Sequence, residues 1–125
     1  MLPEFTDQGE LPVGVHFAVW QEFQSRFGNS SPRRLWLAER LQTILQLADS
    51  SGELHRIFVW GSFVTAKASP GDLDILLIMD ERFETERLAE SAQSVFDSVR
   101  AKLLFHSDVF WARASIGKFQ ICLAS

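Results

Sequence analysis

Two carboxylates two residues apart, Asp72 and Asp74, open an apolar run that continues through Met79, and they follow Gly61-Ser62 after an interval of nine residues. Residues i and i+2 of a strand project to one face, so the two carboxylates stand together while Leu73 and Ile75 turn to the other side. Carboxylates this close repel, and one tends to keep its proton unless a cation neutralises the pair. Magnesium suits such a pair, because it takes one or two carboxylates and completes its shell with water and substrate phosphate. Gly61 removes a side chain where a phosphate must approach the backbone. Ser62 adds a hydroxyl, and the N–H groups that follow it, at the start of a short helical turn, can cradle an anion. Each half is ordinary alone: a Gly-Ser after a strand is usually a turn, and an Asp-x-Asp is often a solvated edge. Joined at this spacing, with an apolar strand on either side, they read as phosphate and metal sites on consecutive elements. Lys67 lies in the same loop and can reach a phosphate, although loop lysines are usually solvated.

The elements that must position these residues follow from periodicity. Residues 1–14 contain Pro3, Gly9, Pro12 and Gly14 and read as an irregular arm, with one domain over residues 15–125. From Val15 to Phe27 the apolar positions 16/17, 20, 23 and 27 follow helical spacing. Ser30-Ser31-Pro32 reads as the start of a second helix, with serine as N-cap and proline in the first turn. Its stripe is Leu35, Ala38, Leu41, Ile44/Leu45 and Ala48, which leaves Arg33, Arg34 and Arg40 on a wet face. The period then changes. Arg56–Trp60 is β-branched and aromatic and predicts a buried strand, and Leu73–Met79 a second. Helical spacing returns from Phe83 to Phe105 through Leu88, Ala92, Val95, Val99 and Leu103. Ser107–Trp111 predicts a third strand, and Ile116–Leu123 a fourth. The expected fold is α/β, more closely α+β: a small mixed sheet with helices packed on one face.

Composition narrows the function classes. The chain has 125 residues, the size of one domain. It has no tyrosine, which excludes a phenolic nucleophile. The net charge is -4, which counts against a protein that grips a nucleic-acid backbone along its whole surface. The single cysteine, Cys122, cannot form an internal disulfide, and a lone thiol suits a reducing cytoplasm. No stretch approaches the roughly 20 apolar residues of a membrane span. The three histidines, His16, His55 and His106, have no zinc-ligand spacing.

The pattern apolar-Gly61-Ser62, about ten residues, Asp72-apolar-Asp74-apolar resembles the signature of the DNA polymerase β-like nucleotidyltransferase superfamily. More narrowly, Leu11–His16, Phe23–Gly28, Gly61–Lys67 and Pro70–Asp74 are similar to the minimal stand-alone nucleotidyltransferase domains of prokaryotes, and the resemblance runs from about Leu11 to Trp111. It implies the nucleotidyltransferase fold and a third carboxylate on a later strand, a place that Asp108 fits in Ser107-Asp108-Val109-Phe110. By that resemblance Asp72, Asp74 and Asp108 hold two magnesium ions, Asp108 activates the attacking hydroxyl, and Gly61 and Ser62 hold the triphosphate of an NTP, with ATP the expected donor. The reaction implied is in-line attack on the α-phosphorus with release of pyrophosphate.

A core of this size has no evident second domain for the acceptor, so a separate molecule is expected to present the hydroxyl. In stand-alone domains of this type, that molecule is often a partner protein in a toxin–antitoxin pair. Two rival readings stand beside this one. The chain can keep the fold and neutralise a partner by contact with little or no catalysis. It can also extend an RNA 3′ end, against which the acidic balance and the lack of an RNA-binding domain weigh.

Overall fold

The computed structural model describes residues 1–115 and 119–125. Its centre is the antiparallel pair β2 (Leu54–Trp60) and β3 (Leu73–Met79), in which Val59 lies opposite Ile75 and Trp60 opposite Asp74. β4 (Ser107–Arg113) joins β3 in parallel, and β5 (Gln120–Ala124) joins the other side of β2 in parallel. β1 (Val15–Ala18) closes that edge antiparallel to β5, giving the order β1-β5-β2-β3-β4. Among the described residues four helices accompany the sheet: α1 (Trp20–Phe27), α2 (Pro32–Ala48), α3 (Glu90–Gln93) and α4 (Ser98–Phe105). The fold is therefore α+β with a mixed sheet, as the pattern of periods predicts.

Alternation along the strands decides which face the helices cover. Ile57 and Val59, Leu73, Ile75 and Leu77, Val109, Ile121 and Leu123 point to one side and join one core with Phe23, Phe27, Leu37, Leu41, Ile44, Ala101 and Phe105. The residues between them, Phe58, Trp60, Asp74, Leu76, Asp108 and Phe110, lie on the other face and keep part of their surface in solvent. The arm over residues 1–14 has no helix or strand beyond a bridge from Glu10 to Thr65, yet it buries Leu2 and Leu11 in the same core. His16 Nε2 donates to the Pro12 carbonyl at 2.7 Å, tying the arm to β1.

Three sequence expectations need correction. Val15–Ala18 is a strand and not the first turn of a helix; its backbone pairs with β5, from Val15 opposite Ala124 to Ala18 opposite Ile121. The helix starts only at Trp20, after Val19 in an extended conformation. The long helix expected from Phe83 to Phe105 is broken into short turns, α3 and α4. Asp97 is the cause: its backbone is extended, and its carboxylate accepts from the N–H groups of Val99 and Arg100 at 3.1 Å each, capping a new helix instead of continuing the old one. The new phase buries Ala101 and Phe105 and leaves Val99 and Leu103, read as core from the sequence, in solvent. In α2 the buried stripe contains Leu37 and Arg34, whereas Leu35 is exposed. Of the fourth expected strand, Gln120–Leu123 lies in β5, and residues 116–118 lie outside the described residues.

Candidate active site

β2 ends at Trp60, and the chain turns sharply at Gly61, whose φ of 82° and ψ of -162° lie in a region that side chains other than hydrogen rarely enter. A Cβ built there would also run into the Asp74 carboxylate. Glycine is thus required twice, once for the turn and once for the approach of β3. A short 3-10 turn, Ser62–Val64, follows, and the Ser62 carbonyl accepts from the Thr65 hydroxyl at 2.7 Å. Trp60, Gly61, Ser62, Thr65 and Glu10 line a cleft of about 680 Å³ at this end of the sheet.

What holds the loop in place is the beginning of α2. Ser31 caps the helix by accepting from the Arg34 N–H at 3.2 Å, as Ser-Pro at a helix start predicts, and its hydroxyl donates to the Ala68 carbonyl at 2.8 Å. Arg34, expected on a wet face, is instead only 2% exposed. Its guanidinium donates to the carbonyls of Phe27 (3.1 Å), Phe63 (2.7 Å), Thr65 (2.6 Å) and Lys67 (2.6 and 3.0 Å), and at the limit of contact to Ser62. Burial pulls the Arg34 pKa below its usual value. Arg33 donates to the carbonyls of Pro70, at 3.1 Å, and Gly71, just before Asp72. Four backbone carbonyls of the Gly-Ser loop (Ser62, Phe63, Thr65 and Lys67) and three of its continuation (Ala68, Pro70 and Gly71) are therefore held by three polar side chains of one helix start, Ser31, Arg33 and Arg34.

The sheet brings Asp72, Asp74 and Asp108 to one end of its open face: Asp74 lies opposite Asp108 in the β3–β4 register, and Asp72 precedes β3. Lys102 of α4 stands between them. Its ammonium donates to Asp72 and, at 3.2 and 3.3 Å, to both oxygens of Asp108. His106, the left-handed residue that ends α4, places Nδ1 3.5 Å from the same Asp72 carboxylate. The Lys102 hydrogen bond, followed by its charge, lowers the Asp72 pKa, while burial opposes it. Burial raises that of Asp74, helped by the charges of Asp108 and Asp72. The hydrogen bond to Asp72 likewise raises the pKa of Lys102. No group of three or more His, Cys, Asp or Glu among the described residues is disposed to hold a metal together.

Of the residues singled out by sequence, then, Gly61, Asp72, Asp74 and Asp108 share one end of the sheet, and Ser62 lines the adjoining cleft. Lys67 does not join them: its carbonyl is taken by Arg34 and its side chain is exposed. Sequence reasoning missed Arg34, Arg33, Lys102 and His106. A basic pair in a first helical turn reads as solvated, and nothing in the spacing of Lys102 from Asp108 announces contact.

Gly61→Ala is expected to cost about 1–3 kcal/mol from backbone strain alone, and to displace the Asp74 carboxylate as well. Thermal unfolding checks the first effect and titration with magnesium and ATP the second. A wild-type midpoint would show that the turn at Gly61 tolerates a side chain.

The architecture defines the class: an α+β domain with one mixed five-stranded sheet, whose open face gathers acidic residues at the end of two neighbouring strands. The chain belongs to a family of unknown function, DUF6932, whose model matches residues 3–120 and so takes in every residue of the site described above. No curated protein and no solved structure matches the chain. No helix among the described residues is long and apolar enough to cross a membrane.

Proposed function

We propose that this domain transfers a nucleoside monophosphate from an NTP, with ATP the expected donor, to a hydroxyl presented by a separate macromolecule, such as a partner protein. The observation that carries this reading is the contact of Gly61 with Asp74. A backbone turn that lines a cleft lies against a carboxylate that shares its face with Asp72 and Asp108.

The residues fit magnesium chemically. All three donors are carboxylates, the hard oxygen ligands this ion prefers. Burial, and after it the charges of Asp108 and Asp72, raises the pKa of Asp74, and a bound cation would oppose that shift. Asp72, Asp74 and Asp108 are the residues that would hold the ions, once Lys102, about half exposed on α4, swings aside. Bound there, the metal would stabilise the charge on the phosphoryl oxygens during displacement.

The chain's own residues do the rest. The N–H groups after Gly61 and the Ser62 hydroxyl bind and orient the β- and γ-phosphates. Arg34 and Arg33 keep those donors in place before substrate arrives, which is the form of preorganisation that electrostatic catalysis needs. Asp108, on the edge strand and open to an incoming acceptor, takes the proton of the attacking hydroxyl. The new bond joins that oxygen to the α-phosphorus, the bond from the α-phosphorus to the bridging oxygen breaks, and pyrophosphate leaves.

A second reading has an observation of its own. The Lys102 contacts with Asp72 and Asp108 suit a domain in which a lysine replaces the cation and which acts on its partner by contact alone. One experiment separates the two. The full chain, its co-expressed partner protein, magnesium and ATP labelled at the α-phosphate are incubated together, and the proteins are analysed by mass spectrometry. A gain of one nucleoside monophosphate with matching pyrophosphate release is the expected result. ATP affinity that is the same in EDTA and in magnesium, with no label transferred, would leave the contact reading.

A further inference from the structure

The open face of the sheet carries an aromatic pair immediately beside the carboxylates. Trp60 is the last residue of β2, opposite Asp74, and Phe110 lies two residues beyond Asp108 on β4. Their rings stack across β3 with centroids 6.1 Å apart and planes 27° from parallel. Phe110 is 57% exposed, although it sits in the middle of a strand. Trp60 also lines the cleft that contains Gly61 and Ser62. Away from the carboxylates the pair is bordered on this face by Phe58, Leu76 and Ala112, none of which offers a hydrogen-bonding side chain.

We propose that Trp60 and Phe110 are the base-binding platform of this site, and that it takes a purine by stacking without reading its edge. The inference rests on the nucleotidyltransferase reading above and gives its substrate class. A triphosphate held at Gly61-Ser62 with its α-phosphorus at Asp74 places its nucleoside over the strands that carry the two rings, and Trp60 is continuous with both. The surroundings decide the rest. Stacking is tolerant of base identity, because every base has a π-face. Around Phe110, away from Asp108, the neighbours Leu76 and Ala112 are apolar, and nothing there distinguishes the amino group of adenine from the carbonyl of guanine. The larger purine ring gains more from the aromatic surface than a pyrimidine does.

The test is calorimetric titration of the full chain, in magnesium, with ATP, GTP, CTP and inorganic tripolyphosphate. ATP and GTP are expected to bind within a few-fold of each other, CTP more weakly, and tripolyphosphate about 5–150-fold more weakly than ATP, the range of one base–aromatic stack. Phe110→Ala, at an exposed position, and Trp60→Ala are each expected to weaken ATP by that range while leaving tripolyphosphate unchanged; Trp60→Phe is expected to keep most of the ATP affinity. Unchanged tripolyphosphate binding also shows that the variants fold. Equal affinity for ATP and tripolyphosphate, or ATP binding indifferent to both alanine variants, would overturn the platform and leave the phosphate site standing. Variants that bind ATP normally but lose label transfer to protein would overturn it too, assigning the rings to the acceptor. Failure of every triphosphate to bind would overturn the proposed function together with this inference.

Discussion

Asp74→Asn is expected to abolish transfer, by about 10³-fold or more if the three carboxylates act as one unit, and at the same time to make the protein more stable at neutral pH. The second half follows from electrostatics. Burial and the charges of Asp108 and Asp72 raise the Asp74 pKa in the fold. A carboxyl raised in this way supports the fold when protonated, and that support is lost as pH rises through the folded value. At neutral pH the ionised Asp74 opposes folding, and asparagine removes the opposition. Asp72 has the opposite sign. Its pKa is lowered by Lys102, so its contribution is present above the unfolded value, near pH 3.9 for an aspartate, and fades as pH falls through the folded one. Asp72→Asn is therefore expected to lower the thermal midpoint modestly at pH 7, the contact being partly exposed and screened, and to lose that deficit in acid. Asp108→Asn is expected to remove transfer as well, and the double variants are expected to be no worse than the single ones. The measurements are label transfer in magnesium and thermal midpoints in EDTA from about pH 3 to 7. Retained transfer in Asp74→Asn would remove that residue from the reaction, and a lower midpoint at neutral pH would show that its carboxylate is a structural partner instead.

Replacing Arg34 should produce the largest change in stability. Arg34→Met keeps much of the apolar stem but leaves four or five carbonyls without their donor. Each buried acceptor left unpaired costs about 1–3 kcal/mol, and those near the surface recover water, so a net loss of about 3–5 kcal/mol is expected, among the largest seen for single substitutions. For a domain of this size that corresponds to a fall in thermal midpoint of roughly 10 °C or more. Arg34→Lys is expected to recover only part, because an ammonium is a point charge and cannot fork to Phe63, Thr65 and Lys67 at once. Urea unfolding gives the free energy, and amide exchange at Thr65 and Lys67 reports whether the loop opens. Stability within about 1 kcal/mol of wild type, a third of the smallest loss this account allows, would mean that the carbonyls find other donors and that the guanidinium does not hold the loop.

β2, β3 and β4 were legible because buried strands are written as continuous β-branched and aromatic runs, and the start of α2 because Ser31-Pro32 is a local signal. β1 was not, because four residues of mixed spacing have no preference strong enough to outweigh pairing with Ala124–Ile121, which are over 100 positions away in the chain. The break at Asp97 was hidden because an apolar helical period runs on through it, while the carboxylate that caps α4 acts locally in space and not in pattern.

The same division runs through the site. The types and intervals of Gly61, Ser62, Asp72 and Asp74 sufficed by themselves to set a turn beside a carboxylate pair on one strand face, since strand alternation and glycine's freedom are properties of a few consecutive residues. Only the tertiary structure decided that Asp108 joins them across β3 and β4, that Lys102 stands between Asp72 and Asp108, and that Arg34 lies under the loop. Those contacts depend on which strands become neighbours and on where helix starts dock, and that is settled by burial of the common core and not by any interval along the chain.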